Sequence, residues 1–581
     1  MKSRTFYSAI AVLAGILLLV GIGGFWGLTA QNPRVLITQG GQTQPQAAQF
    51  VPRQSPLMVS LLARPDRLWQ LRQLLTPANQ RFQVRQEWQS LQQSLEELVG
   101  WDYEADVRPW LDEEATLAFT ATDLDYDASN GQQPGYLAVL SCRDADAARE
   151  ALHRLWQQRA AQRNLRFETV SGISLISDQT SALTGRSSKP SFSSNLALET
   201  LATTMVGDRY VLLANDVRVL RQAIATYRAP DVSWIKAAPY REAITTLPDN
   251  RVGWLVANIP QLLAWFSDAE SVTPQPIRPD GQQANLAFVS FQALADTLLG
   301  NTAIATASVS SASEANTVTP TTSSNSLPLE SVSLVPDSAL FVTAGAQLSQ
   351  QLTSLSANVG GYPIAQQAIS ALLQSWPFTP ESVSAELSSA LGDEYALALL
   401  PGAQPNWALI TQSSTSDFVA IDDFAAAHGL TVNHMTYSDQ PLTTWTQFSL
   451  TRTNQNAPLR LATQVIAVHT TVNNHEVLST SLEGLQQVLQ QVNQGSLADQ
   501  TNLIHLAEQL PTLGSELVYI DWPALLPSLQ QRYPWLLAVE AATQPFSKHL
   551  GPILISGQPP SSALQMGTVA IQLRENLAKM S

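Results

Sequence analysis

Two periodicities alternate along this chain. Short apolar runs at 117–122, 136–140, 210–214 and 252–257 are bounded by Gly, Asn, Asp or Pro, the pattern that predicts strands. Between such runs lie stretches of helical period. In FQVRQEWQSLQQSLEELVG, Val84, Trp88, Leu91, Leu95 and Leu98 recur at three- and four-residue steps, and Gly100 supplies a stop. DADAAREALHRLWQQRAAQ places acids early and arginines late, which complements a helix dipole. Strands joined by hairpins, with helices intervening, predict an α+β unit on a largely antiparallel sheet.

The longest apolar run behaves differently. Residues 9–28 carry no charge and follow Lys2 and Arg4. As a helix they would be about 30 Å long, the thickness of a bilayer's hydrocarbon core. Phe25 and Trp26 suit an interface, and the basic residues place the preceding end in the cytoplasm. The expectation is a signal-anchor transmembrane helix over 1–30, with the rest of the chain extracytoplasmic. A cleaved signal peptide, cut after Gly23, is the competing reading. Residues 31–49, rich in Gln and Gly, read as a flexible stalk.

Beyond the stalk the pattern is written twice. FVPRQSPLMVSL at 50–61 returns as LVPDSALFVTAG at 334–345, and WLDEEATLAF at 110–119 returns as ALGDEYALAL at 390–399. GYLAVL answers NWALIT, and GDRYVLLANDVRVLRQAI answers VNNHEVLSTSLEGLQQVL. TLPDNRVGWLVANIPQLL is echoed by QLPTLGSELVYIDWPALL, so that Pro248 and Pro260 recur 263 residues later as Pro511 and Pro523. Blocks repeated in one order predict an internal duplication. The expected organisation is a first α+β repeat domain at 50–307, a Ser/Thr-rich linker at 308–331 and a second repeat domain at 332–581. The Ser-rich stretch 177–195 reads as an unordered insertion.

Charge narrows the partners. With 32 Lys plus Arg against 47 Asp plus Glu the chain is acidic, net −15, and lacks the footprint of a nucleic-acid binder. Its single cysteine, Cys142, excludes an intramolecular disulfide and a multi-cysteine zinc site and reads as a packed thiol.

Candidate chemistry is sparse. Asp123, Asp125 and Asp127, in DLDYDASNG between two expected strands, offer oxygens at alternate positions and form a calcium candidate. Ala128 stands where such a loop needs glycine, and Pro134 where it needs Glu, so a solvated hairpin tip is the simpler reading. No other cofactor is expected. His428, His434, His469 and His475 cluster in the second repeat without metal-ligand spacing, and read as strand or surface residues. Ser233 and Lys236 match a Ser-x-x-Lys spacing, but no Lys-Thr-Gly element accompanies them. Asp112, Glu113 and Glu114, echoed by Asp393 and Glu394, read as a solvent-facing corner rather than an acid/base pair. Trp88, Trp156 and Trp254 fall on apolar faces and read as core.

The apolar segment, the Gln-rich stretch and the blocks VPRQSPLMVSL, VGDRYVLLAND and LPDNRVGWLVANIP together resemble the cyanobacterial membrane-anchored family catalogued as domain of unknown function 3352. The resemblance covers nearly the whole chain after the stalk. It implies a cyanobacterial envelope or thylakoid setting, periplasm or thylakoid lumen, and carries over no reaction and no functional residues. With an anchor, a duplication and no catalytic constellation, the expected function is non-enzymatic: a tethered scaffold or assembly protein that binds a protein partner. The alternatives are an extracytoplasmic hydrolase with carboxylates in an interdomain cleft, and a small-ligand or lipid carrier.

Overall fold

The computed structural model describes residues 40–67, 99–125, 133–179 apart from 162, 200–259, 286–305 apart from 295 and 296, 330–346, 394–402, 406–412, 418–437, 440–451, 460–511, 516–532, 550–557 and 564–573, with isolated positions between them. The apolar run 9–28 and most of the stretch 308–331 lie outside the described residues, as do Asp127 and all but three residues of 177–195. Among the described residues no helix is long and apolar enough to cross a membrane.

The first half contributes ten strands: β1 (Leu57–Leu61), β2 (Leu111–Ala121), β3 (Gly135–Cys142), β4 (Asn164–Val170), β5 (Ile173–Gln179), β6 (Ala202–Val206), β7 (Tyr210–Ala214), β8 (Gly253–Asn258), β9 (Leu286–Ala293) and β10 (Thr297–Ala305). The second contributes β11 (Phe341–Ala346), β12 (Glu394–Leu400), β13 (Asn406–Gln412), β14 (Thr431–Tyr437), β15 (Gln440–Thr451), β16 (Arg460–Val472), β17 (His475–Ser479), β18 (Glu516–Ile520), β19 (Leu550–Gly557) and β20 (Leu564–Leu573). Tight turns follow from local chemistry. Ser171-Gly172 between β4 and β5, and Asn473-Asn474 between β16 and β17, hold positive φ at both positions, as a two-residue hairpin needs.

All twenty strands form one antiparallel sheet. Across the first half the pairings run β4-β5-β6-β7-β3-β2-β1-β8-β9-β10. Across the second they run β14-β15-β16-β17-β13-β12-β11-β18-β19-β20, the same order. The last strands of the two halves then pair with each other, Thr297 opposite Gln572 through to Ala305 opposite Leu564, with Asn301 facing Thr568 at the centre. The cores interlock across this seam. Leu564 of β20 is buried in the first half's core, and Leu299 of β10 in the second's.

Helices cover both faces, so the middle strands are apolar on both sides. In the first half α1 (Ala145–Ala160) lies over one face through Ala148, Ala151, Leu155 and Trp156. Asp144 caps it, accepting from the Asp146 and Ala147 N–H groups. On the other face α2 (Val217–Arg228) and α3 (Ala238–Thr246) pack through Val219, Leu220, Ala223, Tyr240 and Ala243. The second half repeats the layers with α4 (Phe418–Ala427) and α7 (Trp522–Arg532) on one face, and α5 (Leu482–Gln494) and α6 (Thr501–Gln509) on the other. The helix expected to stop at Gly100 does so: that glycine has φ +87° and donates its N–H to the Glu96 carbonyl at 2.8 Å.

Two expectations change. Residues 40–49, the distal part of the expected stalk, are docked on the sheet. The Gly41 and Gln42 N–H groups bond the Arg251 and Leu62 carbonyls, and Ala47, Ala48 and Phe50 are core. The body therefore starts before residue 50, with Ala47, Ala48 and Phe50 supplying apolar surface to the core. Ser177–Gln179, read as the start of an insertion, complete β5, where buried Asp178 pairs with Arg159. The opening echo is a joint in both halves: Pro52 bridges Ser233 and Pro336 bridges Ser496, while Trp234 and Leu497 donate N–H to the Val51 and Val335 carbonyls.

The seam tolerates little. A Cβ at Gly567 of β20 would lie 2.8 Å from Thr302 Oγ1 and 3.1 Å from the Ser556 carbonyl. Gly567→Val is expected to cost about 1–3 kcal/mol of stability, read as a lower urea midpoint for the full chain in detergent; an unchanged midpoint would show that the two halves are not held by this contact.

Candidate functional site

Of the three carboxylates at the start of β2, Asp112 and Glu113 stay partly exposed, but Glu114 does not face solvent. The β2–β3 register shifts between Leu111 and Ala115, and this irregularity turns Glu114 inward until it is 1% exposed. The Ser141 hydroxyl satisfies the main chain at the irregularity, accepting from the Glu114 N–H and donating to its carbonyl, both at 2.9 Å. Inside, Glu114 Oε2 accepts from the Gln46 N–H and Oε1 from the Ala47 N–H, each at 2.9 Å, with the Thr116 hydroxyl 3.1 Å from Oε1. A short helical turn at Gln46–Phe50 thus has its first N–H groups capped by a distant carboxylate. The second half repeats the device. Glu394 Oε1 accepts from the Ser331 N–H at 2.7 Å, in the first part of the turn at Glu330–Leu334, and Thr411 bonds the Glu394 carbonyl. Burial pushes the Glu114 carboxyl up to about 7, against the Ala47 and Gln46 N–H groups that favour its charged form.

A second cluster has no counterpart in the first half. Asp422 on α4 accepts at Oδ1 from Trp445 Nε1 of β15, 2.7 Å away, and lies 3.0 Å from His469 Nε2 of β16. On the ring's other side, His469 Nδ1 is 3.9 Å from Glu476 Oε2 of β17, and Glu476 Oε1 accepts from the Thr471 hydroxyl at 2.6 Å. The Trp445 and His469 rings meet edge to face. Burial works against a charged His469, but the bonds to Asp422 and Glu476 outweigh it and raise the ring above its ordinary range. Burial likewise opposes charge on Asp422, and the bonds from His469 and Trp445 overcome that and hold it below its ordinary range. Both ring nitrogens of His469 thus face carboxylates, an arrangement that favours the imidazolium over the neutral base. His469 is a strand residue, as expected, but a buried one in an ionisable cluster, which sequence spacing could not reveal because its partners lie on three other elements.

The first half is distinctive in its core. Trp234, Tyr240, Trp254 and Phe288 pack ring against ring at 5.9–6.5 Å, and the Arg251 guanidinium lies 4.9 Å over Trp254. The equivalent registers of the second half carry Leu497, Leu503, Leu517 and Leu554, all buried. Arg251 is itself buried. It caps the end of α3 by donating to the Ile244 and Leu247 carbonyls, and also bonds Pro248 and Asp249. Trp156 and Trp254 are core, as expected.

The remaining candidates resolve locally. Asp123 accepts at Oδ1 from the Asp125 and Gln133 N–H groups, and Asp125 from the Gln133 side chain at 2.6 Å, while Arg218 bonds Gln133 and the Leu124 carbonyl. The two described carboxylates thus brace a hairpin tip beside a guanidinium, a poor fit for calcium. Among the described residues no group of three or more His, Cys, Asp and Glu is placed to hold a metal. Ser233 is buried and donates to the Pro230 carbonyl at 2.6 Å, whereas Lys236 is exposed, so the Ser-x-x-Lys spacing brings nothing together. Cys142 is buried, its thiol donates to the Asp144 carbonyl, and burial raises it away from the reactive range.

Two outcomes follow. A carboxyl raised by folding binds its proton more tightly in the native state. Glu114 should therefore lower stability as pH rises from about 4.5 to 7, by on the order of 3 kcal/mol. Urea titrations at pH 5 and 8 should show that slope flattened in Glu114→Gln; an equal slope would mean that Glu114 is ionised throughout. Calcium should leave the wild-type melting temperature unchanged, and a calcium-dependent rise abolished by Asp125→Ala would restore the metal reading.

No curated protein and no solved structure matches the chain. A family does. Residues 10–573 match the family described as Protein of unknown function (DUF3352), nearly the full length of the sequence, and the chain belongs to it.

Proposed function

We propose that this chain is a membrane-tethered, extracytoplasmic protein of the envelope or thylakoid, built from two copies of one α+β unit, that binds a protein partner without catalysing a reaction. Tethering is supported by the uncharged run 9–28 behind Lys2 and Arg4. Duplication is supported by the ordered sequence echoes and by one strand order occurring in both halves. The non-enzymatic reading rests on how the ionisable groups are used: Glu114 caps a backbone turn, Asp178 pairs with Arg159, and His469 is held between acids.

The observation that carries partner binding is the outer end of the second half. β14 is exposed along most of its length, and β14, β15 and β16 expose Met435, Phe448, Leu461 and Val465. Large apolar side chains gathered on a sheet's edge mark an interaction surface. A photo-crosslinking residue at Phe448 of the full chain, expressed in the native host, should yield one discrete heavier adduct. The same residue at exposed Ile504 on α6 should not. Equal labelling at both positions, or none at Phe448 under several growth conditions, would remove the reading. Alkaline extraction of the same membranes should leave the full-length chain in the pellet.

A further inference from the structure

The two halves treat one position of their common sheet in opposite ways. His469 on β16 lies opposite Leu478 of β17 and Thr443 of β15; Thr203 on β6 lies opposite Leu213 of β7 and Ile176 of β5. Glu476, two residues before Leu478, corresponds to Val211, two before Leu213. In the first half the covering helix reaches this spot with a neutral bond, Trp156 Nε1 of α1 to Thr203 Oγ1 at 2.8 Å. In the second half it reaches it with an acid, Asp422 of α4, onto a histidine backed by another acid. Three ionisable groups thus meet beneath α4, where the first half sets the neutral Trp156–Thr203 bond beside a single ion pair, Arg159 of α1 with Asp178 of β5.

We propose that Asp422, His469 and Glu476 form a proton-operated clamp, which holds α4 on strands β15–β17 while His469 is charged and releases it when His469 gives its proton to solvent. With the imidazolium in place, each carboxylate faces a cation and a neutral donor: Trp445 Nε1 for Asp422 and the Thr471 hydroxyl for Glu476. Deprotonation leaves two largely buried negative charges flanking a neutral ring. Glu476 Oε2, which has no other hydrogen-bond partner, then stands uncompensated. Asp422 joins α4 to both β15 and β16, so the penalty falls on that helix. Beneath it lie Ile421 and Ala425, against Trp445, Ala467 and Leu478.

The surrounding groups give the clamp its direction. From α4, Asp422 faces inward and Asp423 is exposed. From β14, His434 draws Asp422 toward its charged form and sits 3.0 Å from the Thr443 hydroxyl. β15 presents only neutral Trp445 and Thr443, β16 adds Thr471, and His475 on β17 bonds the Asn473 carbonyl. A histidine raised by folding stabilises the native state fully below its unfolded pKa of about 6.5, and that contribution disappears as pH rises through the higher folded value. The lowered Asp422 loses its own contribution only in strong acid. The clamp is therefore closed at mildly acidic pH and opens as pH rises beyond the ordinary histidine range.

Amide hydrogen exchange on the full chain in detergent, at pH 6, 7, 8 and 9 and corrected for intrinsic rates, tests this. In the wild type, protection of residues 418–427 should fall at least about tenfold across the series, while that of α1 stays level. Asp422→Asn combined with Glu476→Gln should flatten the profile although His434 remains. Introducing the first half's residues, His469→Thr with Glu476→Val, should flatten it as well, which guards against one variant failing to fold. A wild-type helix with constant protection, or the same pH profile in wild type and both variants, would overturn the clamp.

Discussion

Everything else in this architecture leans on the antiparallel ladder between β10 and β20. Each half ends in a strand that would otherwise be a free edge, with a row of unpaired main-chain donors and acceptors. Pairing the two edges satisfies both rows and turns ten plus ten strands into one sheet. The side chains reinforce the ladder, since Leu564 enters the first half's core and Leu299 the second's. The chain is consequently closed in its middle and open at its ends, where β4 and β14 each have one neighbour among the described strands. An arrangement with this polarity leaves its two distal edges as the places where something else can attach.

Within that frame the halves share their backbone devices and differ in their side chains. Both place a proline bridge at the entry, Pro52 or Pro336, and both cap a short turn with a buried or half-buried glutamate, Glu114 or Glu394. These are solutions to one problem: the segment entering the sheet must hide its amide groups, and a carboxylate reaching from β2 or β12 does so. Packing differs around them. Trp234, Tyr240, Trp254 and Phe288 fill in the first half the volume that leucines fill in the second, and the ionisable trio at Asp422 replaces a neutral contact. Ladder hydrogen bonds depend little on side-chain identity, whereas core and helix contacts depend on nothing else, so the differences between the halves fall in the latter.

Much of the strand pattern was legible because a strand of five or six apolar residues between turn formers is a local signal. The runs at 136–140, 210–214 and 252–257 became β3, β7 and β8 with small shifts, and Gly100 and Asp144 acted as helix stop and cap. Glu114 was misread for a physical reason. Three consecutive acids look solvated, and only the irregular β2–β3 register rotates the third one inward. Its echo at Glu394 was the one available clue. His469 offered none, since its partners lie 47 residues away on α4 and across a hairpin on β17.

By itself the sequence determined the class of element at most positions, the repeated order of blocks, the acidic surface and the long uncharged run at 9–28. These depend on neighbours along the chain, through turn chemistry and hydrophobic period. Tertiary structure alone decided that the two halves merge in one sheet, that Glu114 is buried while its neighbours are not, and that Asp422, His469 and Glu476 meet. Each of those outcomes is set by strand register and helix docking across long separations, where a shift of one residue turns a side chain from solvent to core.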